Sequence, residues 1–114
     1  MHAMRLTKAV PIFAALGHPV RLAIVARLCG DGPLPTITLK EQTGVSRQGV
    51  SKHLRLLEQS GLVRSARKGR DRLWRVETRR IAEARTYLAL MSAQWDARLE
   101  RLRLSVENSD EPHS

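Results

Sequence analysis

Five side chains with long or hydroxyl-bearing donors recur at helical spacing in the middle of this chain: Arg47, Gln48, Ser51, Lys52 and Arg55. With Arg47 set at zero and 100° added per residue, they fall within an arc of about 140°. Val50, His53, Leu54 and Leu57 fall on the opposite arc, between about 240° and 340°. One side can therefore pack on a core while the other offers donors. Gln matches the donor–acceptor edge of adenine, Arg and Lys match guanine or phosphate, and Ser matches either. A second group of cations follows at once: Arg64, Arg67, Lys68, Arg70, Arg72 and Arg75 surround the turn-forming Lys68-Gly-Arg-Asp71. The chemistry that these spacings suit is non-covalent recognition of a nucleic-acid duplex.

Charge is distributed to the same end. The chain has 114 residues and a formal charge of +9. Residues 1–44 carry five basic and two acidic side chains, residues 45–80 eleven and three, and residues 81–114 four and six. Charge kept only for solubility would be spread out. Charge concentrated on one helix and one hairpin suits a polyanion, and double-stranded DNA before a membrane surface. The one cysteine, Cys29, excludes an internal disulfide and a thiolate-rich zinc site. No apolar run reaches the length of a membrane span. Residues 9–16 faintly resemble a signal core, but a basic amphipathic segment continues after them, so the expected location is cytoplasmic and nucleoid-associated. There is no Gly-rich phosphate loop, no serine in a nucleophile elbow and no cleft-forming carboxylate pair; neither catalytic residues nor a cofactor are expected.

The elements that must hold these groups are legible from periodicity and breakers. Leu6, Val10, Phe13 and Leu16 predict a first helix over 4–16, with Pro11 kinking it or marking its start. His18-Pro19 predicts a cap and first-turn proline for a second helix, along which Leu22, Val25, Ala26 and Cys29 run as the apolar stripe to Gly30. Residues 31–35, with two prolines and a glycine, predict a loop. Thr38 and Glu41 read as a capping box for a very short third helix that Gly44 ends. Ser46 caps the reading helix over 47–59, and Gly61 stops it. Two strands over 62–67 and 72–76 form the basic hairpin. Residues 79–106 form a long helix on which Ala84, Leu88, Met91, Trp95, Leu99, Leu102 and Val106 recur every three or four positions. The expected fold is thus mainly α with a small β-hairpin, four helices followed by the hairpin and a fifth helix. One domain is expected over residues 1–107, with a disordered tail at 108–114.

This order resembles the ArsR family of bacterial winged helix-turn-helix regulators. The matching pieces are Ala15-Leu-Gly-His-Pro-Val-Arg-Leu22, Thr43-Gly-Val-Ser-Arg-Gln-Gly-Val-Ser-Lys-His-Leu54, Leu57-Glu-Gln-Ser-Gly-Leu-Val63 and the wing Arg67-Lys-Gly-Arg70. The resemblance covers about residues 8 to 104 and rests on the combination, since each piece alone is weak. It implies a homodimer, joined through the first and last helices, that binds a two-fold operator and represses transcription. Its metal-sensing members carry cysteines in the third helix, or Asp, His and Glu ligands on the last. Here the third helix reads Leu39-Lys-Glu-Gln-Thr43, and the last has Glu83, Asp96 and Glu100 without histidine. Zinc and softer metals want imidazole or thiolate, so the fold and the DNA role carry over and the metal role does not. The ending Ala93-Gln-Trp-Asp-Ala-Arg-Leu-Glu-Arg-Leu102 resembles a branch without the metal motifs.

The expected DNA-contacting set is therefore Arg47, Gln48, Ser51, Lys52, Arg55, Arg67, Lys68, Arg70 and Arg72. The expected dimer seam is Phe13, Leu88, Met91, Trp95, Leu99 and Leu102. His53, on the apolar side, reads as a buried, hydrogen-bonded histidine rather than a ligand, and Cys29 as a small core residue. Rival readings keep the fold and change the role: a regulator responding to oxidants through Cys29 or to an organic ligand near Trp95, a sequence-indifferent DNA-coating protein, or a module whose long helix binds a different subunit. The effector is left unknown.

Overall fold

A computed structural model describes residues 2–110, with side chains from 9 to 108. The order is α1 (His2–Leu16), α2 (Pro19–Asp31), β1 (Leu34–Pro35), α3 (Thr36–Thr43), α4 (Arg47–Gln59), β2 (Val63–Lys68), β3 (Asp71–Val76) and α5 (Thr78–Asp110). The chain divides into two compact units, one through Ala84 and one from Arg85 onward.

In the first unit α4 supplies Val50, Leu54 and Leu57 to the core, and α2 supplies Ile24, Val25 and Leu28. Ile12, Ala15, Leu39, Leu62, Val63, Trp74 and Ala84 complete it. The sheet is antiparallel, in the order β1-β3-β2. Val63 faces Val76 and Ser65 faces Trp74 across the hairpin; these pairs share the core side because side chains alternate along a strand. The Trp74 indole N–H is buried with its partner in place, donating to Thr36 Oγ1 at 2.9 Å. Leaving that donor bare would cost about 1–3 kcal/mol.

Several expectations hold to the residue. Val20 N–H donates to His18 Nδ1 at 3.1 Å, with Pro19 in the first turn. Gly44 is left-handed (φ 68°) at the end of α3, and α4 spans 47–59 behind the Ser46 cap. After α4, Leu62 N–H reaches Leu57 O and Gly61 N–H reaches Glu58 O, the paired bonds that a left-handed glycine makes possible at a helix end.

Other expectations are corrected. Residues 31–35 are not all loop: Leu34 pairs with Trp74 and Pro35 with Leu73. A proline can sit there because β1 is an edge strand, where one side needs no N–H. The capping box at Thr38 does not form, since α3 begins two residues earlier and its cap position, Pro35, offers no side-chain acceptor. On α1 the buried positions are Ala9, Ile12 and Ala15, while Val10 is exposed; Leu6 lies outside the described side chains. The helix runs through Pro11. On α2 the core stripe is Ile24, Val25 and Leu28, so Leu22, Ala26 and Cys29 face outward. Cys29 is exposed, not a core residue: Leu28 occupies the inward position and the next residue is turned 100° away. Residues 108–110, expected in a disordered tail, continue α5, which runs to Asp110. Residues 111–114 lie outside the described residues.

Candidate nucleic-acid interface

α4 is positioned from both sides. At its start Gly49 N–H donates to Ser46 Oγ at 3.1 Å. A side chain at Gly49 would have to displace Val45, since a Cβ would lie 2.5 Å from Val45 Cγ1. Along its inner side Val50, Leu54 and Leu57 are fully buried, which fixes the rotation of the helix. The outer side then carries Arg47, Gln48, Ser51, Lys52 and Arg55, and these five residues line one shallow concavity of about 500 Å³. None of the five has a side-chain hydrogen bond or ion pair within the described residues. The donor face is thus solvent-facing and uncommitted.

His53 sits on the inner flank, half-buried. Arg21 Nη1 lies 3.4 Å from His53 Nδ1 while Arg21 Nε donates to Ala15 O at 2.7 Å. The His18 and His53 rings are 4.6 Å apart between centroids. Burial, then the charges of His18, Arg21 and Lys52, hold His53 below the ordinary histidine value. It is a hydrogen-bonded packing residue, as its position on the wheel requires.

The wing turns at Gly69-Arg70. Gly69 has φ 64°, and no non-glycine residue has positive φ among the described residues, a pattern that fits a two-residue type II′ hairpin turn. Arg64 faces Arg75 and Arg67 faces Arg72 across the strands. Like charges directly opposite are destabilising, and they are tolerable where a polyanion is the intended neighbour. The wing cations are not equivalent. Arg64 is taken by Glu77 at 2.5 Å; the Arg64 guanidinium holds the Glu77 carboxyl below its ordinary value. Arg72 Nε donates to Ser65 Oγ at 2.9 Å, and Ser65 Oγ donates to Glu58 Oε2 at 3.2 Å, which ties Arg72 to the last turn of α4. Arg67 Nε reaches Gly69 O at 3.4 Å. Lys68 and Arg70 make no such bond among the described residues and are exposed.

Between wing tip and α3, Thr36, Ile37, Lys40, Arg47, Arg70 and Asp71 line a cavity of about 240 Å³. Lys40 and Asp71 were not singled out by spacing. Lys40 is the lone cation on an otherwise weakly patterned helix, and Asp71 reads as an ordinary turn residue.

In the second unit, Leu88, Met91, Trp95, Leu99 and Leu102 form an apolar stripe, each about half exposed. Their intervals of three, four, four and three suit a helix–helix seam. Phe13, expected in the same seam, is half-buried and packs partly against the core of its own unit. Among the described residues no three His, Cys, Asp or Glu side chains converge to hold a metal ion, and no single helix is long and apolar enough to cross a membrane.

Comparison with known proteins gives the following. A family model described as a helix-turn-helix domain matches residues 16–66. The HTH-type transcriptional regulator NmtR of Mycobacterium tuberculosis is 38% identical over 69 residues, covering 60% of this chain and 57% of that protein; the match thus spans less than two thirds of that relative. An ArsR-like transcriptional regulator from Rhodococcus sp. RHA1 superposes with a TM-score of 0.69 at 30% identity, over 87% of this chain and 92% of the other. The homodimeric winged helix-turn-helix domain of Mb0332 from Mycobacterium bovis, described as a possible ArsR-family regulator, superposes with a TM-score of 0.62 at 25% identity, over 88% and 89%.

Proposed function

Since the chain belongs to the ArsR family of winged helix-turn-helix transcriptional regulators, we propose that it is a homodimeric repressor that reads a two-fold DNA operator with α4 and flanks it with the wing. The observation that carries this reading is the uncommitted donor face of Arg47, Gln48, Ser51, Lys52 and Arg55. Buried Val50, Leu54 and Leu57 hold it outward, beside a wing tip whose Lys68 and Arg70 have no partner among the described residues.

α4 enters a major groove, where Gln48, Arg47 and Arg55 meet base edges or phosphates. Arg67, Lys68, Arg70 and Arg72 lie along the backbone next to the groove. The exposed stripe of α5 joins two copies, a reading supported by the homodimeric character of the similar Mb0332 domain. A two-fold dimer reads half-sites about 34 Å apart, or a multiple of that. Repression is steric, with the bound dimer covering a promoter inside the cell.

The division of labour is tested by gel shift, on a duplex that the wild-type chain enriches from a randomised pool and on a scrambled duplex of the same composition. Arg55→Ala weakens binding to the enriched duplex more than to the scrambled one; Arg70→Ala weakens both alike. Equal losses on both duplexes for both variants contradict the assignment. In a promoter fusion, deleting the protein raises expression; a fall identifies an activator. Protection without any discrete boundary points instead to a sequence-indifferent coating protein.

A further inference from the structure

Asp71 is a carboxylate in the middle of the most cationic surface of the molecule. Arg70 and Arg72 flank it in sequence, and Lys40 and Arg47 share its cavity. In such a place a carboxylate repels the phosphates that its neighbours would attract, and it forms no ion pair within the described residues. Its oxygens are used otherwise. Oδ2 accepts the Ile37 N–H at 3.3 Å and Oδ1 accepts the Arg72 N–H at 2.7 Å.

The first of these bonds joins two elements that are 34 residues apart. Ile37 lies in the first turn of α3, and Asp71 is the first residue of β3, directly after the wing turn. The start of α3 needs an outside acceptor because Pro35, at its cap position, provides none, and the first N–H groups of any helix lack partners within it. α3 is joined to α4 by the short turn at 44–46. Whatever fixes the wing tip to α3 therefore fixes it relative to the reading helix.

We propose that Asp71 is a positioning residue that caps α3 from the wing and so holds the α4 donors in register with a wing tip resting on phosphates, which sharpens the discrimination that α4 provides while Lys68 and Arg70 themselves only attract DNA. This rests on the DNA-reading role given to α4 and the wing above. The hydrogen bonds are strong enough to hold the group ionised: burial pushes the Asp71 carboxyl up, but donation from the Thr36 hydroxyl and from the Arg72, Ile37 and Thr36 N–H groups outweighs it and leaves the carboxyl below its ordinary value. A charged acceptor at a helix start also gains from the helix dipole.

Two effects separate when the carboxylate is removed. Loss of the tether frees the wing, which weakens any binding that depends on register. Loss of one negative charge per protomer strengthens binding that depends only on charge. A variant that simply unfolds weakens both.

The test uses the full chain, amide hydrogen exchange without DNA, and the enriched and scrambled duplexes. In Asp71→Ala the Ile37 amide and the wing tip exchange faster. Affinity for the enriched duplex falls roughly tenfold, as expected for loss of a hydrogen bond to a charged acceptor, and affinity for the scrambled duplex holds or rises. Asp71→Asn, which keeps an acceptor without the charge and guards against misfolding of the alanine variant, lies between wild type and Asp71→Ala in both exchange and discrimination. Unchanged Ile37 exchange overturns the tether. Equal loss on both duplexes at unchanged melting temperature overturns the register role. If the wild-type chain itself fails to discriminate, the DNA-reading role is what has failed, and the exchange arm still decides the tether.

Discussion

Removing the wing-tip cations Lys68 and Arg70 should flatten the salt dependence of the proposed DNA binding by a computable amount. Five cations of the proposed surface have no partner within the described residues: Arg47, Lys52, Arg55, Lys68 and Arg70. The proposed dimer presents twice that number, so these cations neutralise up to about ten phosphates and contribute up to about −9 to the slope of log K against log salt. The variant Lys68→Ala/Arg70→Ala loses four of the ten and flattens the slope by up to about 3.6. Between 50 and 200 mM salt the variant then loses about 10²-fold less affinity than wild type does. Fluorescence anisotropy with the enriched duplex over that salt range reads both slopes. A variant whose slope matches wild type would mean that the wing tip touches no phosphate. Arg64 provides the internal control. Glu77 already neutralises it, so Arg64→Ala should move the slope less than Arg70→Ala does.

Three further outcomes are expected. Gly49→Ala destabilises the fold by about 1–3 kcal/mol, because the new Cβ meets Val45 Cγ1 at 2.5 Å and this exceeds the gain of about 1 kcal/mol from replacing a helical glycine; thermal melts followed by circular dichroism should show a lower midpoint that Val45→Ala largely restores, and a midpoint equal to wild type contradicts the packing. The fold loses stability as pH falls below about 6.5, since burial and the neighbouring His18, Arg21 and Lys52 charges depress the His53 pKa in the folded chain and the unfolded chain takes up the proton first; the contribution is fully present above the unfolded value and declines as pH drops through the folded one. Urea midpoints from pH 8 to pH 5 should fall for wild type and fall less for His53→Gln, and parallel declines would assign the effect elsewhere. With α5 as the proposed seam, Trp95→Ala combined with Leu99→Ala should halve the wild-type mass in light scattering, and an unchanged mass would place the seam elsewhere than on this stripe.

Helix α4 was legible because its signals are local. Ser46 before it, Gly44 and Gly61 at its borders and the spacing of Val50, Leu54 and Leu57 all act within a few residues of one another. The hairpin was legible for the same reason, with Gly69 supplying the positive φ of its turn. What escaped depends on partners far along the chain. β1 exists only because β3 lies beside it, Leu34 against Trp74, and α3 starts at Thr36 with an acceptor from Asp71. Neither Thr38 nor Glu41 carries that information. On α2 the misassigned stripe came from a choice between two overlapping faces: Val25 belongs to both, and only packing against α4 and the sheet selects Ile24 and Leu28 over Leu22 and Cys29. Spacing singled out cations by type but not by commitment. That Arg64 is spoken for and Arg70 is free follows from where Glu77 lies, not from the run of charge.

Chemical footprinting of the purified chain on the enriched duplex tests the central claim most directly. Two protected half-sites related by a two-fold axis are expected, centred about one helical turn or a multiple of it apart, with protection of major-groove guanines and adenines that Arg55→Ala and Gln48→Ala selectively remove. Uniform protection without boundaries, or a single protected half-site unaffected by either substitution, would contradict that claim.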